Sequence, residues 1–393
     1  MKTIHSQSRA LWCTMCREVY RIIGSPVCLI CMIGMPLFAF LFFLSMMNNG
    51  LPEKLPVAVV DLDNSASSRN FVRQLASQQQ VNIVSEPQSF TAAREAMQRN
   101  EIFGFLVIPP RFEELTMAAH QPEISFYTNN AYFIPGSLLY KSFKTMSVLA
   151  SGAVVSHVLT STGVPETNIK PLLQPIAPEM HPIGNPWLNY SIYLNNSFIP
   201  ATIQLMVLMV TIYSIGIEIK RGTSRRWMRT AGDSIVIAMT GKLLPQTCIF
   251  AAVGVLGQSI LYGFLHFPLH CPAWHMIFAM ILLIIASQGL AVILLSFAPS
   301  LRVGFSAAAV IGILSFSLGG FSFPVSSMYA PFKMLSNLIP VRHYFLIYAS
   351  QALNGYPLYY CRWHYVAFIC FAVASIVLLP RLKQALLHPR YEP

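Results

Sequence analysis

Six apolar stretches, each about as long as a membrane-spanning helix, constrain the fold of this chain more than any other feature of its sequence. A helix needs roughly 20 mostly apolar residues to cross the hydrocarbon core of a bilayer. Only 10% of the residues are charged, whereas a soluble domain carries about 25%. The sequence therefore predicts an α-helical integral membrane protein with six transmembrane helices. We place these helices at 26–47, 198–217, 243–264, 274–297, 303–323 and 363–379.

Basic residues beside the predicted helices indicate their orientation, because cytoplasmic loops of membrane proteins are enriched in Lys and Arg. The outer loop 265–275 contains neither, although Lys333, Arg342 and Arg362 lie in the other short outer segments. Both termini are therefore predicted to be cytoplasmic, and this topology accounts for the net charge of +11 without a nucleic-acid partner. The basic residues assigned to the cytoplasm are Lys2, Arg9, Arg17, Arg21, Lys220, Arg221, Arg225, Arg226, Arg229, Lys242, Arg302, Arg381, Lys383 and Arg390.

The segment between the first two predicted helices differs from the rest, with 9 basic and 11 acidic residues in 48–197. Short strand patterns alternate there with helical ones, which predicts an α/β extracytoplasmic domain inserted between helices 1 and 2. The predicted strands are 56–62, 81–85, 103–108 and 123–127, and the predicted helices are 65–78, 90–99 and 136–160. The predicted domains are a cytoplasmic amphipathic helix 1–25, a first span 26–47, the outer domain 48–197, a membrane domain 198–380 with a basic loop 218–242, and a cytoplasmic tail 381–393.

Several residue patterns that are typical of metal or catalytic sites have a structural explanation in this sequence. Cys13, Cys16, Cys28 and Cys31 have zinc-site spacing, but the second pair falls inside a predicted span, where hydrocarbon excludes a charged metal cluster. The Asp-x-Asp at 61–63 is interpreted as a helix start, and the histidines of 266–275 as an interfacial loop. No phosphate-binding Gly-x-x-x-x-Gly-Lys-Ser/Thr motif occurs,. We therefore predict no catalytic residue, metal or cofactor on this chain.

Two cysteines leave an alternative open. Cys271 and Cys361 both lie on predicted outer loops, so they are compatible with a disulfide in an oxidising compartment and equally with two free thiols.

The basic loop 218–242 is the strongest candidate for a contact with another protein. Trp227 and Met228 stand among arginines, which suits a short helix pressed into a partner's groove. A simple positively charged flank is the alternative interpretation. The candidate coupling residues are Glu218, Gly222, Thr223, Arg225, Arg226, Trp227 and Arg229. Upstream, Trp12, Met15, Val19, Ile22 and Ile23 recur at helical spacing, which predicts an amphipathic helix on the inner membrane surface.

The end of the fifth predicted span combines residues that break helices. Gly319, Gly320, Pro324 and Pro340 predict a re-entrant element, which membranes tolerate only where protein or a water-filled cavity covers it,. Polar residues inside spans indicate either helix packing or a substrate path. The candidate path residues are Gln204, Thr211, Ser306, Ser315 and Ser317.

These residues together resemble the permease subunits of type-2 ABC exporters, of the subgroup with a large outer domain after the first helix. The resemblance rests on 59–65, on Glu218 with Gly222 and Thr223, on Gly241 with Lys242, and on the glycines and prolines of 319–340. Lys220 departs from the family pattern, which has a second acidic residue at that position.

The resemblance implies a transport function and a set of partners. It implies a second permease subunit, identical or related, and a cytoplasmic ATPase that binds the ATP and Mg²⁺. It also implies membrane lipid, a bacterial inner-membrane location and, in some systems, a periplasmic adaptor and an outer-membrane channel. Two other functions stay open: ATPase-coupled mechanotransmission without transport, and a receptor-like membrane protein. The substrate is not specified by the sequence.

Overall fold

The computed structural model describes residues 2–118, 120–176, 179 and 181–388, so Arg390 and the end of the predicted tail lie outside the described residues. The chain divides into two compact units. Unit 1 combines Met1–Gly50 with Pro182–Pro393, and unit 2 is Leu51–His181.

Unit 2 contains a four-stranded sheet with helices on both faces. Strand β1 (Leu55–Asp61) is parallel to β2 (Val81–Ser85) and to β3 (Gly104–Ile108), and β4 (Ser125–Thr128) is antiparallel to β3, so the strand order is β2-β1-β3-β4. The predicted strands and helices of this region occur within a few residues of the expected positions, and two short helices at Phe112–Met117 and Glu166–Leu173 were not predicted. In chain order the elements are β1 (Leu55–Asp61), α3 (Ala66–Ala76), β2 (Val81–Ser85), α4 (Phe90–Gln98), β3 (Gly104–Ile108), α5 (Phe112–Met117), β4 (Ser125–Thr128), α6 (Phe133–Ser161) and α7 (Glu166–Leu173).

The sheet of unit 2 carries a core on each face. Val57, Val59 and Leu106 face α3 and α6, while Ala58 and Val60 alternate to the other face, against α4. This alternation follows from the period of two in a β-strand. Unit 2 therefore has an apolar core of its own.

Among the described residues of unit 1, six helices are long and apolar enough to cross a membrane. A further helix, α1 (Lys2–Ile23), precedes them. Three further helices lie between the apolar ones, namely α9 (Ser224–Thr230), α13 (Ala330–Asn337) and α14 (Pro340–Tyr348). The six apolar helices are α2 (Pro26–Met46), α8 (Tyr190–Lys220), α10 (Ile235–Phe264), α11 (Ala273–Phe297), α12 (Leu301–Leu318) and α15 (Leu358–Leu387).

Four of these helices begin or end several residues from the predicted positions, and α10 is the simplest case, starting at Ile235 rather than Leu243. Helix α8 starts at Tyr190 because Asn189 caps it, accepting from the amides of Ser191 and Ile192,. Helix α12 stops at Leu318 because Gly320 adopts a left-handed φ of 92°,. Helix α15 continues to Leu387, so the predicted tail is helical up to that residue.

Apolar packing holds the helices of unit 1 together. Helix α11 packs against α8, α10 and α15, and α12 packs along α8. One apolar cluster lies where α8, α9, α10, α11 and α15 meet. Trp227 and Met228 of α9 are fully buried in this cluster.

Candidate functional site

The turn after α8 places Glu218 at the centre of a polar cluster. Gly222 has a φ of 67°, a conformation that glycine adopts without strain,. This turn brings Thr223 back to Glu218: the Thr223 amide donates to the Glu218 carbonyl at 2.9 Å, and its hydroxyl donates to the carboxylate. Helix α9 begins at the next residue. Glu218 therefore links the end of α8 to the start of α9.

The Glu218 carboxylate is 1% exposed and binds three cations. Arg17 Nη2 is 2.9 Å from Oε2, and Arg21 Nη1 is 2.7 Å from Oε1. Lys242 Nζ lies 3.3 Å from the same Oε1. Two of the three cations lie on α1 and the third lies on α10, so one carboxylate joins α8 to two other helices.

Lys242 is completely buried and makes further contacts. Its Nζ donates to Glu18 Oε2 at 2.8 Å and to the Ser214 carbonyl at 3.2 Å. The ammonium also lies 4.4 Å from the centre of the Trp227 ring, a cation–π contact,. Gln246 donates to the other oxygen of Glu18 at 3.0 Å. The buried ammonium is therefore surrounded by carboxylate, carbonyl and aromatic ring.

We call this group the ionic joint: Arg17, Glu18, Arg21, Glu218 and Lys242. It contains three cations and two carboxylates, hence a net charge of +1. Burying such charges is costly, and removing one partner typically destabilises a protein by about 3–5 kcal/mol because the other charge is left unpaired. The joint therefore fixes the relative positions of α1, α8, α9 and α10 more than it adds to net stability.

Gly241 allows α1 to approach α10 closely. A Cβ atom at this position would lie 2.8 Å from Cβ and Cγ2 of Thr14. Real Cβ contacts of that length do not occur, so any other residue would push α1 away. Because Lys242 is the next residue, the glycine brings Glu18 within reach of its ammonium.

The surface of α9 is basic. Arg225, Arg226 and Arg229 are exposed, and the Arg225 guanidinium donates to the Leu387 carbonyl at 3.1 Å and 3.2 Å. Trp227 and Met228 do not share this surface. The prediction that these two side chains enter a partner's groove is wrong, because they are already buried where α9 packs against α8, α10 and α15 of the same chain.

The predicted path residues lie in two different environments. Gln204 is buried: its amide donates to Ser315 Oγ at 2.8 Å, and its oxygen accepts from the Val341 amide at 2.6 Å. Ser306 and Ser317, in contrast, share the exposed side of α12 with Val310 and Ile313. Thr211 is buried as well. That any of these residues lines a path stays a prediction.

The predicted re-entrant residues surround a break between helices. After Gly319 and Gly320 the chain makes a short irregular turn at Pro324, then forms α13, and α14 begins at Pro340. Phe321 is buried against α8, and its carbonyl accepts from the Tyr193 hydroxyl. The break is therefore packed against α8, while its depth in a membrane stays a prediction.

Sequence reasoning missed the α1 side of the ionic joint. A helix on the membrane surface would carry Arg17, Glu18 and Arg21 on its polar face, yet Glu18 is buried with Thr14 and Ile22 on one stripe. The exposed side chains of α1 include Trp12, Tyr20 and Ile23. One feature of the sequence could have indicated a special role for Glu18: it is the only acidic residue in the first 50 positions.

The fold and the ionic joint define a class: a polytopic membrane protein that holds a short basic helix rigidly at one end of its bundle. The chain belongs to the ABC-2 transporter family, since the model of the ABC-2 family transporter protein matches residues 27–379. The resemblance inferred from the sequence is thereby confirmed. A comparison with curated proteins gave no match. Membership implies a transporter membrane subunit that associates with an ABC ATPase subunit.

Proposed function

We propose that this chain is the permease subunit of an ATP-binding cassette exporter, driven by ATP that a separate subunit hydrolyses. Two permease subunits, identical or related, would form the transporter together with two ATPases. The bundle end that carries α9 would face the cytoplasm of a bacterium, and unit 2 would lie on the other side of the inner membrane. Family membership supports the transport class, while the direction of transport is our proposal.

One observation carries the proposed mechanism: the ionic joint attaches a basic, exposed helix to the apolar helices through buried contacts. A force applied to α9 cannot be absorbed locally, because Trp227 is packed in the core and touches Lys242. The force therefore moves α8 and α10 together with α1. We propose that the ATPase contacts the exposed arginines of α9 and that the joint transmits its movement.

The substrate path is proposed to run along the exposed side of α12. A path between paired subunits requires polar groups on a surface that another subunit can face. Ser306 and Ser317 meet this requirement, whereas Gln204 and Ser315 are used inside the chain, where they connect α8, α12 and α14. We therefore narrow the candidate path residues to the two exposed serines.

The proposed ATPase contact is tested by reversing charge on α9. The test variant combines Arg226→Glu and Arg229→Glu, because both side chains are exposed on α9. The matched control is Arg9→Glu, at an exposed position of α1. We expect the double variant to lose most of the ATPase that co-purifies with the wild-type chain, and the control to retain it. Equal recovery of the ATPase with both variants would contradict the proposed contact.

A second variant separates attachment from transmission. Gly241→Leu would displace α1 from α10 without changing the α9 surface, so the ATPase should stay bound and hydrolyse ATP. We expect ATP-dependent uptake of a fluorescent lipid or a fluorescent cationic amphiphile into inside-out vesicles to fall. If the wild-type complex moves neither probe while ATP hydrolysis changes the protease sensitivity of unit 2, mechanotransmission is favoured over export.

A further inference from the structure

One guanidinium of unit 1 has no partner within the part of the chain that the structure describes. Arg342 lies in the first turn of α14, and its Nε atom is buried without a hydrogen-bond acceptor. The side chain as a whole is only partly buried, so it remains accessible from outside the protein. Burying part of a charged group is costly unless a partner compensates the charge. Arg342 therefore carries a charge that these residues do not neutralise.

The other buried or partly buried Lys and Arg side chains described in unit 1 all have partners. The three cations of the ionic joint bind its two carboxylates. Lys383 is partly buried, and its ammonium donates to the Asp233 carbonyl at 2.7 Å. Arg342 is the exception in this group. A contact within the fold explains each of the others, whereas none explains Arg342.

Among the described residues of unit 1, no carboxylate lies near Arg342. Helices α10 to α15 contain no Asp or Glu, and the acidic residues of α1 and α8 belong to the ionic joint. Asp233 lies beside Lys383, whereas α14 meets the other end of α15 through a 3.2 Å contact of His343 with His364. At 1.5 Å per helical residue, Lys383 and His364 are roughly 28 Å apart. Asp233 is therefore too distant to neutralise Arg342.

A glycine leaves space beside the guanidinium. Gly320 ends α12 with a φ of 92°, and a Cβ atom built on it would lie 3.6 Å from Arg342 Nη1. Gly320 is itself only partly buried. Any side chain at this position would therefore occupy the space next to Nη1. The helix break brings the guanidinium to a position that a ligand can approach.

The same segment exposes large apolar side chains. Phe323 follows the break, and Phe332 and Leu335 lie on α13, which packs against α12 and α14. All three side chains are exposed. A ligand that approaches Arg342 along this segment meets apolar surface as well as positive charge. An anionic head group with a hydrocarbon tail matches both features, whereas a free anion matches only the charge.

We propose that Arg342 binds the head group of an anionic phospholipid at the helix break. The two Nη groups of a planar guanidinium offer N–H donors that match the geometry of a phosphate. A lipid with a net negative charge neutralises Arg342, whereas a zwitterionic lipid carries its own cation. The site lies on α14, apart from α9 and the ionic joint, so binding requires no ATPase and is independent of the proposed transport.

Three variants separate a lipid site from a structural or general electrostatic role. Arg342→Gln removes the charge and leaves no carboxylate unpaired, so the chain should fold with an unchanged thermal midpoint. Arg342→Lys keeps the charge but loses the planar pair of donors. Lys333→Gln is the matched control, because it removes one positive charge from an exposed position of the neighbouring helix α13.

The measurement is the thermal midpoint of the purified full chain in detergent, followed by tryptophan fluorescence during addition of dioctanoyl phosphatidylglycerol. Dioctanoyl phosphatidylcholine and inorganic phosphate are the comparison probes. We expect phosphatidylglycerol to raise the midpoint by about 3 °C in the wild type and in Lys333→Gln. Arg342→Gln should need about tenfold more lipid for half of the effect, as for a lost charge-assisted hydrogen bond. Arg342→Lys should fall between the two.

Equal stabilisation of the wild type and Arg342→Gln by phosphatidylglycerol would overturn the site. An equal loss in Lys333→Gln would overturn it as well, because the effect would then reflect surface charge in general. If Arg342→Gln has a lower midpoint without lipid, or does not fold, the guanidinium is a structural group. Equal stabilisation by phosphatidylcholine would refute the preference for a net negative lipid, and equal stabilisation by inorganic phosphate would identify the ligand as a free anion.

Discussion

The ion pairs of the two units differ in burial. In unit 1 the side chains of Lys242, Glu18 and Glu218 are only 0–2% exposed. In unit 2 the paired side chains of Arg111 and Glu114 are 68% and 62% exposed. The distribution of acidic residues follows the same division. Eleven of the 15 acidic residues belong to unit 2, and two of the remaining four are in the ionic joint. The ion pairs of unit 2 lie on its solvated surface, whereas the buried ion pairs of unit 1 connect helices.

This difference has an energetic basis. An exposed ion pair in water is screened and contributes little to stability. A buried charge is costly to desolvate and is tolerated only with partners, so its removal has a large effect. Charged substitutions in the two units should therefore differ strongly in their consequences, and three experiments test this contrast.

The largest effect is expected at Glu218. Glu218→Gln leaves three cations with one carboxylate, whereas Lys242→Met leaves two of each. We therefore expect Glu218→Gln to lower the free energy of unfolding by about 3–5 kcal/mol, with Lys242→Met clearly milder. The thermal unfolding midpoint of the purified chain in detergent, followed by tryptophan fluorescence, measures both.

The double variant Glu218→Gln/Lys242→Met checks the charge argument. It restores the original excess of one positive charge, so its loss of stability should be smaller than the sum of the two single losses. If Lys242→Met proves as damaging as Glu218→Gln, the contact of the lysine ammonium with the Trp227 ring would matter more than charge balance.

The sequence predicted one half of the ionic joint and not the other. Glu218 and Lys242 were recognised by their positions in a family pattern. Helix α1 was read from its apolar spacing alone, which predicts a membrane-surface helix. That reading cannot show that Glu18 faces another helix, because the contact depends on α10 approaching at Gly241, 223 residues away in the chain.

Helix ends show a similar limit of sequence reasoning. Hydropathy placed the start of α8 at Phe198, because Asn195, Asn196 and Ser197 lower the average before it. In the structure these residues are buried, and their side chains bond within the helix or to Tyr262 of α10. The strands of unit 2, in contrast, depend on neighbouring residues and were predicted closely.

A smaller effect is expected at Asp63 of unit 2. Its carboxylate accepts from the amides of Phe112 and Glu113 at 3.0 Å and 3.1 Å, which caps α5 from a distant part of the chain. Asp63→Ala should cost about 1 kcal/mol, as for other lost caps. Asp63→Asn keeps one acceptor oxygen and should cost less. Limited proteolysis of the full chain near α5, in membranes at neutral pH, compares the two.

The pH dependence of this cap has a defined sign. A hydrogen bond from Ser65 and the amides at the start of α5 lower the pKa of Asp63 from its ordinary value of 3.8. A carboxyl with a lowered pKa stabilises the folded state above its ordinary pKa and loses that contribution as the pH falls through the lowered one. Protection of α5 should therefore be constant above pH ~5 and decline below ~4 in the wild type, but not in Asp63→Ala. If the protection of α5 declines equally in Asp63→Ala, carboxyl groups other than Asp63 cause the decline.

The smallest effect is expected for the ion pair of Arg99 and Glu101, which is the surface counterpart of the ionic joint. Arg99 Nε lies 2.7 Å from Glu101 Oε1, a shorter distance than that between Lys242 and Glu218. The Arg99 and Glu101 side chains are nevertheless 57% and 55% exposed, so water and salt screen the attraction,. Glu101→Gln should therefore leave the thermal midpoint unchanged at physiological ionic strength. A loss as large as that of Glu218→Gln would mean that distance, rather than burial, sets the strength of ion pairs in this molecule.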